Sequence, residues 1–265
     1  NISSSFPKNL WVSREIASSH KKERVYATLN GYRFDDFTPY IFISDNYGQT
    51  WTNIGNSIPT SAVNVIKEDP KNENILYVGT DNGAYISFNK GQTWQAFKNG
   101  LPNVAVHDLV IQPTAKDLIL GTHGRSLYKA NIASLQSFSD EVKNKSAHIF
   151  PMNTLRKRGS WGSSWSKWLE PNTPKMSIPF YVNSNRKVTF EVYAKDVLVN
   201  TLTVNADKGF NEAEFDVSFS EEGRKAFTKA NKDSNITKAK NGTYYLPKGK
   251  YVVKLNNSEE KFEIK

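Results

Sequence analysis

Two stretches of the chain, ISDNYGQTW (residues 43–51) and ISFNKGQTW (86–94), share nearly the same nine-residue sequence. Asn side chains bond to nearby backbone amides and Gly accepts a positive φ, so both stretches favour a tight β-hairpin. The Trp at the end of each falls on the returning strand, where its ring can pack into a core. The repeat therefore predicts two copies of one structural hairpin, built on Ser44, Asn46, Gly48, Thr50 and Trp51 and on Ser87, Asn89, Gly91, Thr93 and Trp94.

The hairpins belong to a longer repeating unit. Strand-like segments with matching sequences lie upstream of each hairpin, and a third copy of these segments ends at LYKANI without a hairpin. The segments are RVYATLNG (24–31), ILYVGTDNG (75–83) and LILGTHGRSLY (118–128), preceded by WVSREIAS (11–18), AVNVIKEDP (62–70) and AVHDLVIQP (105–113). Four strands in roughly forty residues is the period of a β-propeller blade. The sequence predicts about three such blades.

The hairpin sequence resembles the Asp-box, or BNR repeat, of sialidases, xyloglucan-degrading enzymes and sortilin-type receptors. Longer phrases, NGYRFDDFTPYIFISDNYGQTW and LPNVAVHDLVIQPTAKDLILGTHGRSLY, resemble the closing part of sortilin-like BNR-repeat proteins that are often labelled glycosyl hydrolases. The resemblance covers about residues 8–133 and implies a secreted, cell-surface or periplasmic bacterial protein. Asn46 and Asn89 stand where the family usually has Asp, so the turn chemistry is kept and the charge is lost.

Three blades do not close a ring, because propellers have about four to eight blades. An open array leaves strand edges and blade faces uncovered. We therefore expect residues 1–135 to be the terminal blades of a propeller that is completed by a missing N-terminal part or by another chain. The start of the sequence at NISSSF, without an initiator Met, favours a chain that was cut from something longer or matured by processing.

The second half of the chain has a different pattern. Residues 136–175 contain Gly, Ser and Pro together with Trp, and they are predicted to form a linker. From residue 176 to 265, short segments alternate apolar and polar residues between turn signals, as strands of a β-sandwich do. The segment SEEGRKAFTKANKD (220–233) is predicted to form a short helix capped by Ser220. The resemblance implies that this region is an Ig-like domain, so the predicted fold is all-β.

Composition limits the function classes. The net charge of +9 arises mainly in residues 141–265, where 22 Lys and Arg face 14 Asp and Glu, and no groove-reading motif accompanies it. We read this as a solvated surface and expect no nucleic-acid partner, with attraction to an anionic surface as the alternative. No apolar run is long enough for a membrane span, and the absence of Cys excludes disulfides and thiolate metal sites.

Asp35 and Asp36 are the candidate catalytic residues. They lie between strands in YRFDDFTP, and glycosidases need two carboxyl groups facing each other across roughly 5–10 Å. Neighbouring residues of a strand point to opposite faces, so a partner carboxyl from another blade would be needed. The alternative is that both side chains make loop hydrogen bonds or contacts between blades.

The candidate ligand-binding residues lie in LRKRGSWGSSWSKWLEPNTPK. Aromatic faces flanked by cationic and polar groups can stack on sugar rings, whereas the alternative is that the tryptophans only pack the linker against the folded domains. The residues are Arg156, Arg158, Trp161, Trp165 and Trp168. His107–Asp108 and the turn His123-Gly124-Arg125 are a weaker candidate, for which a structural polar network is the favoured interpretation; we expect no metal and no cofactor.

Two functions fit these features. The favoured one is a noncatalytic glycan- or protein-binding portion of a secreted BNR-repeat propeller protein. The alternative is a fragment of a glycoside hydrolase whose active site is completed by missing blades, since the active sites of propellers gather residues from many blades. Fold alone does not separate the two.

Overall fold

The computed structural model describes residues 5–98, 100–232 and 236–265. Strands dominate, with three short α-helices and one 3-10 helix (Tyr32–Phe34) among these residues, which confirms the predicted all-β class. The strands are β1 (Trp11–Ala17), β2 (Val25–Gly31), β3 (Asp36–Ser44), β4 (Thr52–Asn53), β5 (Val63–Glu68), β6 (Leu76–Thr80), β7 (Gly83–Ser87), β8 (Gln95–Phe97), β9 (Val106–Gln112), β10 (Asp117–Thr122), β11 (Leu127–Asn131), β12 (Ala147–Ile149), β13 (Met176–Val182), β14 (Arg186–Ala194), β15 (Val197–Ala206), β16 (Gly209–Phe215), β17 (Gly249–Leu255) and β18 (Ser258–Ile264). The α-helices are α1 (Ala133–Gln136), α2 (Asp140–Asn144) and α3 (Glu221–Ala230).

The chain divides into two compact units, Asn1–Gln136 and Ser137–Lys265. The first unit contains three antiparallel sheets whose strands follow one another in chain order: β1 to β4 form blade 1, β5 to β8 form blade 2, and β9 to β11 form blade 3. This succession of meanders is the predicted partial propeller. The third sheet lacks the fourth strand, as expected from the missing third hairpin.

Blade 2 is buried on both faces because it packs between the other two blades. All five residues of β6 are buried. One core cluster joins blade 2 to blade 1 through Tyr26, Ile41, Ile66 and Trp94, among others. A second cluster joins blade 2 to blade 3, and its buried residues are Val65, Ile75, Tyr77, Ala84, Ile86, Val106, Leu109, Ile111, Leu118, Leu120 and Ile132.

The second unit contains two antiparallel sheets, with strand orders β12-β13-β16 and β15-β14-β17-β18. Their apolar faces share one core, in which Phe180 of the first sheet meets Phe190 of the second with ring centroids 5.0 Å apart. Helix α3 forms where predicted: the Ser220 hydroxyl accepts the Gly223 amide hydrogen bond at 2.9 Å. The arrangement is a two-sheet packing of alternating strands; the Ig-like assignment stays a prediction.

The segment 136–175, predicted to be a linker, lies within the second unit from residue 137 onward. Strand β12 pairs with β13, and Leu155 forms a parallel bridge with Ile264. The apolar residues of this segment therefore complete the core of the second unit. The many Gly, Ser and Pro residues of this segment favoured a linker, because amino-acid composition does not reveal pairing of the backbone with distant strands.

Candidate functional site

The two repeated hairpins form the same hydrogen-bond network twice. In the first, the Gly48 amide donates to Ser44 Oγ at 2.9 Å, and the Ser44 hydroxyl donates to Asn46 Oδ1 at 2.9 Å. The Asn46 oxygen also accepts the Thr50 amide at 2.9 Å, while its Nδ2 donates to Thr50 Oγ1 at 2.8 Å. The amide group thus uses its donor as well as its acceptor. A side chain this fully engaged within its own turn has a structural role.

The second hairpin repeats these contacts with distances of 2.8 to 2.9 Å. Gly48 and Gly91 have φ values of 81° and 84°, which L side chains rarely adopt, and the preceding residues Tyr47 and Lys90 both have φ of 56°. The prediction that Gly supplies a positive φ at this turn is therefore confirmed in both copies.

The tryptophans that end the hairpins differ in their surroundings. Trp94 is 8% exposed, and its Nε1 donates to the Ile54 carbonyl of blade 1 at 2.7 Å. Trp51 is half-buried against Phe6, with ring centroids 5.0 Å apart. Its Nε1 is buried and has no hydrogen-bond partner among the described residues. The indole of Trp94 is thus hydrogen-bonded to the preceding blade, whereas the indole of Trp51 makes no hydrogen bond within the described residues.

A buried ionic network, which the sequence analysis missed, joins blades 1 and 2. The Arg24 side chain is 3% exposed and donates to Asp45 at 2.6 Å and to Glu73 at 2.9 Å. Glu68, equally buried, accepts from the Tyr26 hydroxyl at 2.9 Å. Burial, followed by the charge of Glu68, raises the pKa of Tyr26 above its ordinary value. The two buried charges, Arg24 and Glu68, are thus paired within the protein, and the network stabilises the contact between blades 1 and 2.

The first strand of each of the three blades contains one polar residue at an irregular position. In each, one extra residue forms a β-bulge: Ser13 in β1, Asn64 in β5 and His107 in β9. Ser13 Oγ donates to the Val63 carbonyl of blade 2 at 2.9 Å. Asn64 Nδ2 donates to the Val106 carbonyl of blade 3 at 3.3 Å. The bulge residue of one blade therefore bonds to the next blade.

Blade 3 brings together the histidines that the sequence singled out. The rings of His107 and His123 meet edge to face, with centroids 5.5 Å apart. The neighbouring Asp108 pairs with Arg14 of blade 1 at 2.8 Å. The described residues contain no group of three or more His, Cys, Asp and Glu side chains that could hold a metal ion. The geometry fits the predicted structural polar network.

Asp35 and Asp36, the candidate catalytic residues, have different surroundings. Asp35 ends the 3-10 helix with φ of 56° and is exposed. Asp36 accepts hydrogen bonds from the Thr38 amide and the Tyr40 hydroxyl, both at 2.9 Å. The Thr38 hydrogen bond is the main reason that the pKa of Asp36 lies below its ordinary value. A glycosidase general acid needs the opposite shift, and so Asp36 is suited to holding its own loop together.

The three candidate tryptophans separate into one buried and two exposed rings. Trp161 is 7% exposed and meets Tyr245 edge-on with centroids 5.8 Å apart, so its face is closed to a ligand. Trp165 and Trp168 are 98% and 83% exposed. Lys167 Nζ lies 4.9 Å from the centroid of the Trp168 ring. The structure thus removes Trp161 from the candidate stacking surface and leaves the other two on it.

The two exposed tryptophans lie on a loop, residues 160–172, which we call the indole loop. Its base is closed by hydrogen bonds from the Gly162 amide to the Asn172 carbonyl and from the Asn172 amide to the Ser163 carbonyl, both at 2.9 Å. The Ser164 hydroxyl donates to the Leu169 carbonyl at 2.7 Å inside the loop. Arg156 and Arg158, the remaining predicted binding residues, are exposed just before the loop. The indole loop is therefore held by internal hydrogen bonds and presents two large apolar rings to solvent.

Comparison with known proteins agrees with the blade pattern. The family model described as Sortilin, neurotensin receptor 3, matches residues 40–164. The match covers slightly under half of the chain, which is similar to this family over those residues. No curated protein sequence matches the chain. The matched residues include both hairpin repeats and blade 3, on which the resemblance seen in the sequence also rests.

The solved structures that match this chain include two GH74 enzymes. One, from Niastella koreensis, is 20% identical over 64% of this chain and 26% of its own, with a TM-score of 0.40. The other, a GH74 xyloglucanase from Xanthomonas campestris, is 10% identical over 97% of this chain and 38% of its own, with a TM-score of 0.36. The chain therefore spans well under half the length of both. Separately, no helix among the described residues is long and apolar enough to cross a membrane.

Proposed function

We propose that this chain is a binding portion of a secreted or cell-surface BNR-repeat propeller protein, and that it holds carbohydrate on the indole loop. The observation that carries the proposal is the exposure of Trp165 and Trp168, at 98% and 83%, on a loop whose base is fastened by hydrogen bonds. Exposed large apolar rings that are held in place are typical of interaction surfaces. A fixed loop also loses less conformational freedom on binding than a free one.

The chemistry of the loop suits a sugar. Indole rings offer a broad apolar face for the C–H groups of a pyranose ring, together with an N–H donor at the edge. Arg156, Arg158 and Lys167 are exposed nearby and supply charged donors, which favour hydroxyl or carboxylate groups on the ligand. We therefore favour a glycan over a purely apolar protein surface as the ligand.

The alternative, a fragment of a glycoside hydrolase, has less support in this chain. Its candidate acids are Asp35, which is exposed at the end of a turn, and Asp36, whose hydrogen bonds keep it ionised. An active site would have to draw both its acid and its second carboxylate from elsewhere. The binding function needs only the groups that the indole loop already presents.

The first unit is proposed to be completed by further propeller blades. In its described part, the exposed large hydrophobic side chains belong to blades 1 and 3 or to their turns, whereas blade 2 has none. They are Trp11, Val12, Tyr32, Phe34, Phe37, Tyr47, Val110 and Leu127. Apolar surface left at the two ends of a stack of sheets favours additional sheets as the partners.

A glycan array tests the carbohydrate proposal. The full chain is expected to bind a subset of glycans. Trp165→Ala and Trp168→Ala are each expected to weaken that binding by about 5- to 150-fold, since stacking on an exposed ring supplies on the order of 1–3 kcal/mol. Trp11→Ala is the matched control, because Trp11 is also exposed, at 51%, but lies in the first unit. Equal binding by all three variants and the parent, or no glycan bound by the parent, contradicts the proposal.

A further inference from the structure

The second unit contains a groove that the proposed function does not use. Its volume is about 470 Å³, within the range of about 300–1,000 Å³ that is usual for sites of small ligands. The groove is lined by residues of β17 and β18, by the turn after β14 and by the segment 152–154. All of these belong to the second unit, so the groove does not depend on the propeller blades.

The pairing of β17 with β18 places apolar and charged side chains side by side in the groove. Tyr251 and Phe262 are cross-strand partners whose rings stack with centroids 5.2 Å apart, and both are buried in the core. The next pair, Val252 and Lys261, points to the opposite face, because successive side chains of a strand alternate. Lys250 shares that outer face with Val252. The half-buried valine therefore lies next to two exposed lysines.

Three lysines, Lys195, Lys250 and Lys261, line the groove. Lys250 and Lys261 are diagonal neighbours across the β17–β18 ladder, a spacing of about 7–8 Å, so both side chains can reach one small anion. Among the described residues, none of the three ammonium groups forms an ion pair. The carboxylate of Glu263, which also lines the groove, lies 3.6 Å from Lys265 Nζ. The groove therefore carries positive charge that is left unpaired in the described part of the chain.

Most of the surface inside the groove is apolar. Val252 and Met152 are half-buried there, and Met152 packs against the core of the second unit. A sugar would place many hydroxyl groups against this surface, and a polar group that is buried without a partner costs free energy. A ligand with an apolar body and one anionic group matches both the apolar lining and the lysines.

An extended peptide finds no free strand edge at this groove. Strand β17 lies between β14 and β18. The outer edge of β18 is bonded to the segment before the indole loop: the Leu155 amide donates to the Glu263 carbonyl, and the Lys265 amide donates to the Leu155 carbonyl, both at 2.9 Å. Addition of a peptide strand, which would supply main-chain hydrogen bonds, is therefore blocked here. This favours a small molecule as the occupant.

We propose that this groove binds a carboxylate with an aliphatic body, such as a medium-chain fatty acid. The aliphatic body lies against Val252 and Met152, and the carboxylate lies between the ammonium groups of Lys250 and Lys261. Lys195, at the turn after β14, adds a third positive charge. The proposal goes beyond carbohydrate binding and is independent of it, since it uses no residue of the indole loop.

Titration of the full chain with decanoate, at neutral pH and below the concentration at which decanoate forms micelles, tests the proposal by amide NMR. The signals of Val252 and Lys261 are expected to shift with decanoate. From hexanoate to decanoate the affinity should rise by about two- to fourfold per methylene, since transfer of one CH₂ group out of water is worth up to about fourfold. Decyltrimethylammonium, which has the same chain and a cationic head group, should bind more weakly than decanoate.

A pair of lysine variants tests the role of charge. Lys261→Glu is expected to weaken decanoate binding by about 2- to 30-fold, because it replaces an exposed attractive pair by a repulsive one of similar size. Lys187→Glu is the matched control: it makes the same change in net charge at an exposed lysine of β14, and Lys187 pairs with Asn205 at the end of β14 away from the groove. Both side chains are exposed, so both variants should unfold at the temperature of the parent.

Several results would overturn the inference. They are no binding of decanoate by the parent, shifted signals confined to other parts of the chain, decyltrimethylammonium binding as tightly as decanoate, and equal effects of the two lysine variants. The ligand comparison uses the parent protein alone, so it decides the question even if a variant does not fold. Glycan binding by Lys261→Glu should match the parent, so that failure of this site and failure of the carbohydrate proposal are told apart.

Discussion

The two copies of the repeated hairpin allow the same substitution to be made in two environments. In blade 2, Trp94→Phe removes the donor of the 2.7 Å hydrogen bond to the Ile54 carbonyl. Loss of such a bond costs about 1–3 kcal/mol when the acceptor is left without a donor. The smaller ring also leaves a cavity next to a buried site, which adds about 1–2 kcal/mol. We expect the free energy of unfolding of the first unit to fall by about 3 kcal/mol.

The matched change in blade 1 should cost much less. The Trp51 Nε1 is buried without a partner in the described part of the chain, so Trp51→Phe removes an unsatisfied donor together with some packing. These contributions oppose each other, and we expect a net effect within about 1 kcal/mol. The difference between the two variants should be about 2 kcal/mol.

Hydrogen exchange of the β6 amides, Leu76 to Thr80, measures this difference within the first unit of the full chain. A difference of about 2 kcal/mol corresponds to roughly a thirtyfold difference in exchange rate for amides that open with the whole unit. Equal acceleration of exchange in the two variants would refute the reasoning, because the hydrogen bond to Ile54 would then contribute nothing.

Two further predictions concern the second unit. Burial, and then the positive charge of Lys145, lowers the pKa of His148 despite the opposing charge of Glu141. The unfolded chain protonates this ring near pH 6.5, whereas the folded chain does so only at lower pH, so the free energy of unfolding should fall as the pH drops below about 6.5; His148→Gln should lessen that decline in thermal unfolding. Trp161→Ala should lower the unfolding free energy by about 3–5 kcal/mol, because the ring is 7% exposed, whereas Trp165→Ala should change it by less than about 0.5 kcal/mol.

These two predictions have clear contrary outcomes. A pH profile that is the same in the parent and in the His148→Gln variant would show that the imidazole does not couple to unfolding. Similar thermal stability of the Trp161→Ala and Trp165→Ala variants would show that the burial of Trp161 does not matter for the core.

The blade pattern could be predicted because its information is local. Residues 43–51 and 86–94 contain their own turn donors, acceptors and positive-φ positions, so the same nine residues form the same network in both blades. The single departure from the usual Asp was equally visible, and the amide oxygen accepts as a carboxylate would. Local chemistry of this kind needs no knowledge of distant residues.

The contacts between blades could not be predicted in the same way. Arg24 meets Glu68 and Glu73 more than forty residues away, and the pairing depends on how the strands are aligned across two sheets. The signal that was present, a charged residue at the start of the apolar strand VYATLNG, is also common at exposed strand ends. Sequence spacing alone does not distinguish the two.

Burial separated tryptophans that look alike in the sequence. Trp161, Trp165 and Trp168 occur within eight residues, among the same Gly, Ser and Lys neighbours. The deciding contact is with Tyr245 of a distant segment, and it fixes only the first ring in the core. The same long-range pairing explains why the segment predicted to be a linker is part of the second unit.

The amides of Asn46 and Asn89 also determine how the blade corners respond to acid. An aspartate that accepted the same hydrogen bonds would take up a proton once the pH fell far enough, and one acceptor oxygen would become a hydroxyl. An asparagine does not titrate, and its Nδ2 already donates to Thr50 or Thr93 at 2.8 to 2.9 Å. The hydrogen bonds that Asn46 and Asn89 make within their own turns therefore stay the same from neutral to strongly acidic solution.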